Sequence, residues 1–275
     1  MQRRAQGVPD RRAAVGGPGG GEVDRGDGLG TSRRAVLRAA VVLPLAAACA
    51  APQSGGRPSA RAASTTTAAA TTSAARPPTG EVDRATSGRP EVALTFHGAG
   101  DPDLARRVLG TLHDRGAAVT VLAVGTWLQQ YPDAAGMVTD LGHELGNHTW
   151  SHRDIDAMDE RDARVEIERC RDRIAAAIGG PGAFFRPSQA QHATPAVRAL
   201  AAAAGYPTVL SYDVDSRDVT DPGSAAIRRN VAAATAGSVV SLHLGHPGTL
   251  AALPGLLDDL AGRGLTPVTA TRLFG

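Results

Sequence analysis

His148 and His152 stand four residues apart in the stretch Gly146-Asn147-His148-Thr149-Trp150-Ser151-His152. Imidazole is a good ligand for zinc and its neighbours. Residues four apart share a face over one helical turn, so two rings at this interval can converge on one ion. The same spacing also describes an ordinary surface pair. The setting favours the metal: all 8 histidines lie between His97 and His246, and several sit where apolar runs end.

Groups that act together need elements to bring them together. From Glu91 onward, apolar runs alternate with helical patterns. Strands are expected at Val92–Phe96, Ala118–Val124, Glu144–Asn147, Phe184–Arg186, Thr208–Asp213, Val239–His243 and Thr266–Thr269. Helices are expected at Leu104–Arg115, Arg161–Ile178, Pro195–Ala204, Ala225–Ala234 and Thr249–Arg263. This alternation predicts an α/β fold with a parallel sheet and covering helices. Seven strands suit a closed or nearly closed β/α barrel, with an open doubly wound sheet as the alternative. The polar candidates cluster at strand ends: His97 after the first, His148 after the third, Arg186 after the fourth, Asp213 to Asp218 after the fifth, His243 after the sixth. In a β/α barrel, catalytic groups occupy that C-terminal face.

Composition narrows the function. There is no lysine, so P-loop, Schiff-base and pyridoxal-phosphate chemistry are excluded. Residues 1–89 hold 13 Arg against 6 acidic residues, whereas residues 90–275 hold 16 against 21. The folded part is mildly acidic and lacks the electrostatic footprint of a nucleic-acid binder. Two cysteines, Cys49 and Cys170, make no disulfide framework.

Residues 1–30 show no apolar periodicity and read as a disordered leader. Residues 31–49 carry Arg33-Arg34, then an apolar run from Ala39 to Ala48 that is too short to span a bilayer. They resemble a twin-arginine export signal, and Leu45-Ala46-Ala47-Ala48-Cys49 resembles a lipoprotein box with Cys49 as a lipid anchor. Residues 50–90, rich in Ala, Ser, Thr, Pro and Gly, read as a flexible tether. The expectation is an exported protein, either anchored as a lipoprotein or released into the cell envelope; the sequence does not address its oligomeric state.

Residues 91–275 resemble the polysaccharide deacetylase family, the NodB-homology domain of carbohydrate esterase family 4. The likeness is carried by Gly142-His143-Glu144-Leu145-Gly146-Asn147-His148-Thr149-Trp150-Ser151-His152. It extends to Phe184-Phe185-Arg186-Pro187, Tyr212-Asp213-Val214-Asp215-Ser216-Arg217-Asp218 and Gly237-Ser238-Val239-Val240-Ser241-Leu242-His243. The resemblance implies a distorted β/α barrel and metal-assisted hydrolysis of N-acetyl groups on an amino-sugar glycan such as peptidoglycan. His148 and His152 would bind a divalent metal, zinc being the expected one. His243 would protonate the departing amine, Asp218 would orient His243, and Arg186 would brace the acidic groups. Asp215 is a further candidate in its motif, or else a turn residue. Trp127 and Trp150 are the candidate sugar-stacking rings, Trp150 reading rather as packing within the metal motif.

The chain departs from the family pattern at its first motif. Two aspartates, a base and a metal ligand, are replaced by His97 and Gly98 in Thr95-Phe96-His97-Gly98-Ala99-Gly100-Asp101. The third motif's Pro-Tyr gives way to Ser188-Gln189, the fourth motif's Trp to Val219, and the leucine before His243 to Ser241. Three readings follow. The site is rewired, with His97 as base or third ligand and Asp101 filling the missing place; or the fold binds glycan without catalysis; or it hydrolyses another acyl bond, such as an ester. His246 reads as a loop residue.

Overall fold

The computed structural model describes residues 77–275. The segments expected to be a leader (1–30) and an export signal with Cys49 (31–49), and residues 50–76 of the expected tether, lie outside the described residues. The elements are β1 (Gly80–Val82), β2 (Glu91–Gly98), α1 (Pro102–Asp114), β3 (Thr120–Ala123), α2 (Gly125–Gln130), α3 (Ala134–Thr139), β4 (Glu144–Asn147), α4 (Glu160–Ile178), α5 (Pro195–Ala203), β5 (Thr208–Leu210), β6 (Val214–Asp215), α6 (Ser224–Val231), β7 (Val239–His243), α7 (Pro247–Gly262), β8 (Thr266–Val268) and α8 (Ala270–Phe274).

Every strand–strand ladder is parallel. β2 pairs β3 along its C-terminal half and β8 at its start, with β7 on its other edge. β3 continues to β4, and single bridges at Phe185 carry the surface from β4 to β5, which pairs β1. An antiparallel bridge from Arg84 to Ser238 returns the ring to β7. The sheet is therefore a distorted barrel, as expected, but its seam lies within the predicted tether. Gly80–Val82 forms a strand, and the Arg84 guanidinium grips Asp213 at 2.9 Å, Thr235 at 2.6 Å and the Ala236 carbonyl at 2.8 Å. Residues 80–85 thus belong to the barrel.

Side-chain alternation separates two cores. Val92, Leu94 and Phe96 of β2 join Val240 and Leu242 of β7 in the large cluster beneath the helices. Ala93 and Val239 join Leu122, Phe184 and Leu210 in the smaller cluster inside the barrel. Two-residue periodicity then carries Thr95 and His97, and Ser241 and His243, onto the inward face. On β4, Leu145 points to the helices, so His148 follows Gly146 inward. Gly146 is inward because a Cβ there would meet Leu122 Cδ1 at 2.8 Å and the Phe184 carbonyl oxygen at 2.9 Å.

Other differences from expectation have local causes. The strand expected over Phe184–Arg186 is one bridged residue, because Pro187 has no N–H to extend a ladder. The run Thr208–Asp213 is cut short: β5 stops at Leu210, and a separate β6 just beyond the run pairs β7. α2, α3 and α8 span six, six and five residues, too short to show a helical period.

Candidate active site

Register sets the first pair of catalytic types. His97 and His243 are opposite partners at the ends of β2 and β7. Their rings meet edge to face, 4.4 Å between centroids, with His97 Nδ1 2.9 Å from His243 Nε2. His243 Nδ1 lies 2.7 Å from Asp218 Oδ1, and its backbone N–H donates to Oδ2 at 2.8 Å. Thr249 Oγ1 donates to the same Oδ2 at 2.5 Å. Burial alone would raise the Asp218 carboxyl, but the His243 and Thr249 bonds outweigh it and hold the carboxyl below its ordinary value.

Arg186 closes the other end. It is fully buried, and its Nη1 lies 3.2 Å from His97 Nε2. Burial pulls the guanidinium down to about 9, so it is still a cation at neutral pH and only a donor. His97 Nε2 must therefore accept, which puts the His97 proton on Nδ1, aimed at His243 Nε2. Nδ1 of His243 then carries its proton toward the Asp218 carboxylate. The chain of bonds runs one way, from Arg186 through His97 and His243 to Asp218. Burial, then the charges of His148, Arg186, His243 and His152, hold His97 well below the usual imidazole value, in its neutral form.

His148 and His152 do not share a helical turn. They lie on the loop after β4, and the chain doubles back through left-handed residues Thr149 (φ 66°) and His152 (φ 59°). Strained backbone of this kind persists only where its surroundings fix it. Glu166 of α4 accepts from Ser151 N and Ser151 Oγ, each at 2.7 Å, and Asn147 accepts from Thr149 N at 2.9 Å. The Arg169 guanidinium lies 3.8 Å from the Trp150 ring centroid.

The result is a histidine cluster. One ring nitrogen from each of His97, His148 and His152 lies within 4.8 Å of the others. The His148 and His152 ring centroids are 4.8 Å apart, and His97 stacks on His148 at 4.2 Å. His148 Nδ1 donates to the Arg186 carbonyl at 3.0 Å. That leaves His148 Nε2 as a lone-pair nitrogen, buried and, among the described residues, without a hydrogen-bond partner. Burial first, then the charge of His152, holds His148 well below the ordinary imidazole value; His152 is lowered by burial, then by His243. A buried neutral imidazole with an orphan nitrogen beside a second histidine suits a divalent cation. His97 Nε2 could complete the set only by leaving Arg186.

Three expectations need correction. Asp101 stands outside the histidine cluster: it caps α1, its carboxylate accepting from Asp103 N at 3.0 Å, and it borders a separate surface hollow. Arg186 braces no acid; besides His97 it holds the carbonyls of Leu210 at 2.7 Å and Ser211 at 3.0 Å. Trp127 is buried and offers no sugar platform, while Trp150 is buried as packing, in line with its reading within the motif. Asp215 does border the cavity, while also accepting from Arg217 N in a turn. His246, read as a loop residue, has its Nδ1 2.9 Å from Asp221 Oδ2, and its ring lies 5.7 Å from that of His243. Glu166 and Thr249 were not picked out, since a glutamate and a threonine on helices look like any others before they are placed.

Two hollows meet at His97, His152, Val219 and His243. One, of about 210 Å³, adds Gln189, Gln191, Tyr212 and Asp215. The other, of about 290 Å³, adds Ala99, Gly100, Gly245 and His246. A larger surface hollow of about 680 Å³ lies elsewhere, beside Met137 and Arg173, far from the histidines.

Residues 84–209 match the family model described as polysaccharide deacetylase. A peptidoglycan-N-acetylglucosamine deacetylase of Bacillus cereus is 32% identical over 212 residues, covering 72% of this chain and 94% of the relative. A chitooligosaccharide deacetylase of Sinorhizobium fredii is 31% identical, over 66% of this chain and 91% of the relative. Among solved structures, a family 4 carbohydrate esterase from Streptomyces lividans superposes with a TM-score of 0.60 at 30% identity, over 64% of this chain and 90% of that one. A Bacillus anthracis protein described as a CE4 family pseudoenzyme superposes at 0.67 with 22% identity, over 72% of this chain and 70% of that one, a likeness of fold. With the histidine cluster at the barrel mouth and relatives matched over nearly their whole length, this chain belongs to the polysaccharide deacetylase family.

Proposed function

We propose that the protein removes N-acetyl groups from the amino sugars of a cell-wall or extracellular polysaccharide, with a divalent metal, zinc first among them, held by His148 and His152. The orphan Nε2 of His148 carries this reading. A buried neutral nitrogen without a partner is costly unless something binds it. The activities named for the Bacillus cereus and Sinorhizobium fredii relatives support the choice of substrate. Bound there, a divalent ion would polarise the acyl carbonyl and acidify water.

The chain's own residues supply the rest. His97 Nε2 accepts the water proton once Arg186 Nη1 gives up its 3.2 Å bond, the longest of that guanidinium's three. Asp218 and Thr249 hold His243 in one orientation. The departing nitrogen needs a proton, and the wall offers two aspartate-held imidazoles, His243 and His246. Tyr212, Gln189, Gln191 and Asp215 provide polar edges for sugar hydroxyls. Export, with Cys49 as a possible lipid anchor, would bring this site to its polymer.

The test is acetate release by the full chain from N-acetylglucosamine oligomers and peptidoglycan fragments, with and without chelator. Release that is lost with chelator and restored by zinc is expected. No release under any divalent metal would sink the reading. Gly98 favours a second one: it offers no ligand atom where the family carries a carboxylate, so the fold would bind glycan without cleaving it. In that case oligomers bind equally well to the parent and to His148→Ala.

A further inference from the structure

Two aspartate–histidine pairs stand side by side at the barrel mouth. Asp218 and Asp221 lie three apart, at either end of a short 3₁₀ turn (Asp218–Thr220). His243 and His246 lie three apart across from them. Each aspartate takes Nδ1 of its histidine, at 2.7 Å and 2.9 Å. Asp221 also accepts from Gly248 N at 3.3 Å, so its carboxylate is fixed at both oxygens. It adopts a left-handed backbone (φ 45°), and so does Arg217 before the turn (φ 55°). Such conformations cost free energy in a residue with a side chain. The strain at Asp221 is what aims a second carboxylate at the second imidazole.

The two pairs are not equivalent. His243 Nε2 is already committed, since Arg186 obliges His97 to donate Nδ1–H to it at 2.9 Å. A nitrogen that accepts a bond has no proton to give. Among the described residues His246 Nε2 has no partner, and the imidazole lines the same 290 Å³ hollow as His97, His152 and His243. Its ring is 25% exposed, wet enough to exchange a proton with water and enclosed enough to face a bound substrate.

We infer that His246, oriented by Asp221, is the acid that protonates the departing nitrogen. This rests on the hydrolytic reading above. The step balances as ordinary hydrolysis. The water oxygen bonds to the acyl carbon, its proton going to the base, and the carbon–nitrogen bond breaks. The reacting form of His246 is the imidazolium, with Nδ1–H on Asp221; it passes its Nε2 proton to the nitrogen, which leaves as the amine, and the neutral ring takes a proton back from solvent. His243 is then a positioning residue that couples His97 to Asp218.

A proton donor matters only when the leaving group needs a proton. The experiment compares the full chain with His246→Ala on two substrates: an N-acetylglucosamine oligomer, whose amine must be protonated, and 4-nitrophenyl acetate, whose phenolate leaves without one. Loss of a general acid is worth about 10² to 10⁴ in rate. The amide rate should fall at least about 100-fold and the ester rate less than about threefold, with added imidazole restoring part of the amide rate. Asp221→Asn should fall between. Equal loss on both substrates, or an unchanged amide rate, overturns the assignment. A parent inactive on both would overturn the hydrolytic reading and this assignment with it. One readout needs no activity: ring-nitrogen NMR should find His97 protonated at Nδ1 and His243 bare at Nε2. A proton on His243 Nε2 would return the donor role to His243.

Discussion

Arg186 Nη1 lies 3.2 Å from His97 Nε2, and that bond decides which nitrogen bears the proton in two imidazoles beyond it. Where the family has an acid that a guanidinium could pair with, this chain has a base. The contact changes from an ion pair to a directional hydrogen bond, and the direction propagates. Replacing Arg186 by Met should therefore scramble the His97 and His243 tautomers, as seen in their ring-nitrogen shifts. It should also strand the Leu210 and Ser211 carbonyls, at about 1–3 kcal/mol each, as read by urea unfolding. Sharp, unchanged tautomers in that variant would refute the relay.

Glu166 holds the loop of His148 and His152 from behind, accepting from Ser151 N and Oγ. Glu166→Gln keeps the shape but turns an NH₂ toward one of those donors. Zinc affinity, measured by calorimetry on the full chain, should fall about 10- to 100-fold, as for other groups that support ligands without touching the ion. His148→Ala should abolish binding altogether. Wild-type affinity in Glu166→Gln would show that the loop holds its shape unaided.

Acid should destabilise the metal-free protein over a defined window. His97, His148 and His152 all have values lowered from 6.5 by burial. Below pH 6.5 the unfolded chain takes up protons that the folded chain refuses, so stability falls as pH drops. Asp218 acts in a different window: its carboxyl is lowered from 3.8, and its support is lost only below that value. Urea midpoints at pH 7.5, 6.5 and 5.5 should decline. Each fully refused proton steepens the slope by about 1.4 kcal/mol per pH unit. A flat profile would mean that the cluster is open to water.

Restoring the family's aspartate at Gly98 should not restore its ligand. A Cβ there would sit 2.8 Å from Val121 Cγ1 and 3.0 Å from Ala123 Cα. Gly98→Asp is expected to destabilise by about 1–3 kcal/mol, the usual cost of overpacking, with no gain in zinc affinity. Tighter zinc binding in that variant would show that β2 shifts to admit the carboxylate.

Much of this site was legible before any coordinates, for physical reasons. His97, His148 and His243 each end a strand-like apolar run, and two-residue periodicity sends their side chains inward. Chain-distant partners were not legible. Asp101 looked like a ligand because a glycine-rich loop can swing anywhere, but Pro102 starts a helix and the aspartate caps it. His246 looked idle because its partner, Asp221, depends on a left-handed turn that no local pattern announces. The strand at Gly80–Val82 was hidden in a polar, glycine- and proline-rich stretch, because its pairing partner lies some 130 residues later.

That last strand has a mechanical meaning. β1 is three residues long, it closes the ring through the Arg84–Ser238 bridge, and all of the upstream chain hangs from it. Tension entering from the N-terminal side would load this three-residue stave first. The Arg84 clasp on Asp213, Thr235 and Ala236 is thus placed like the strain relief where a cable enters its housing.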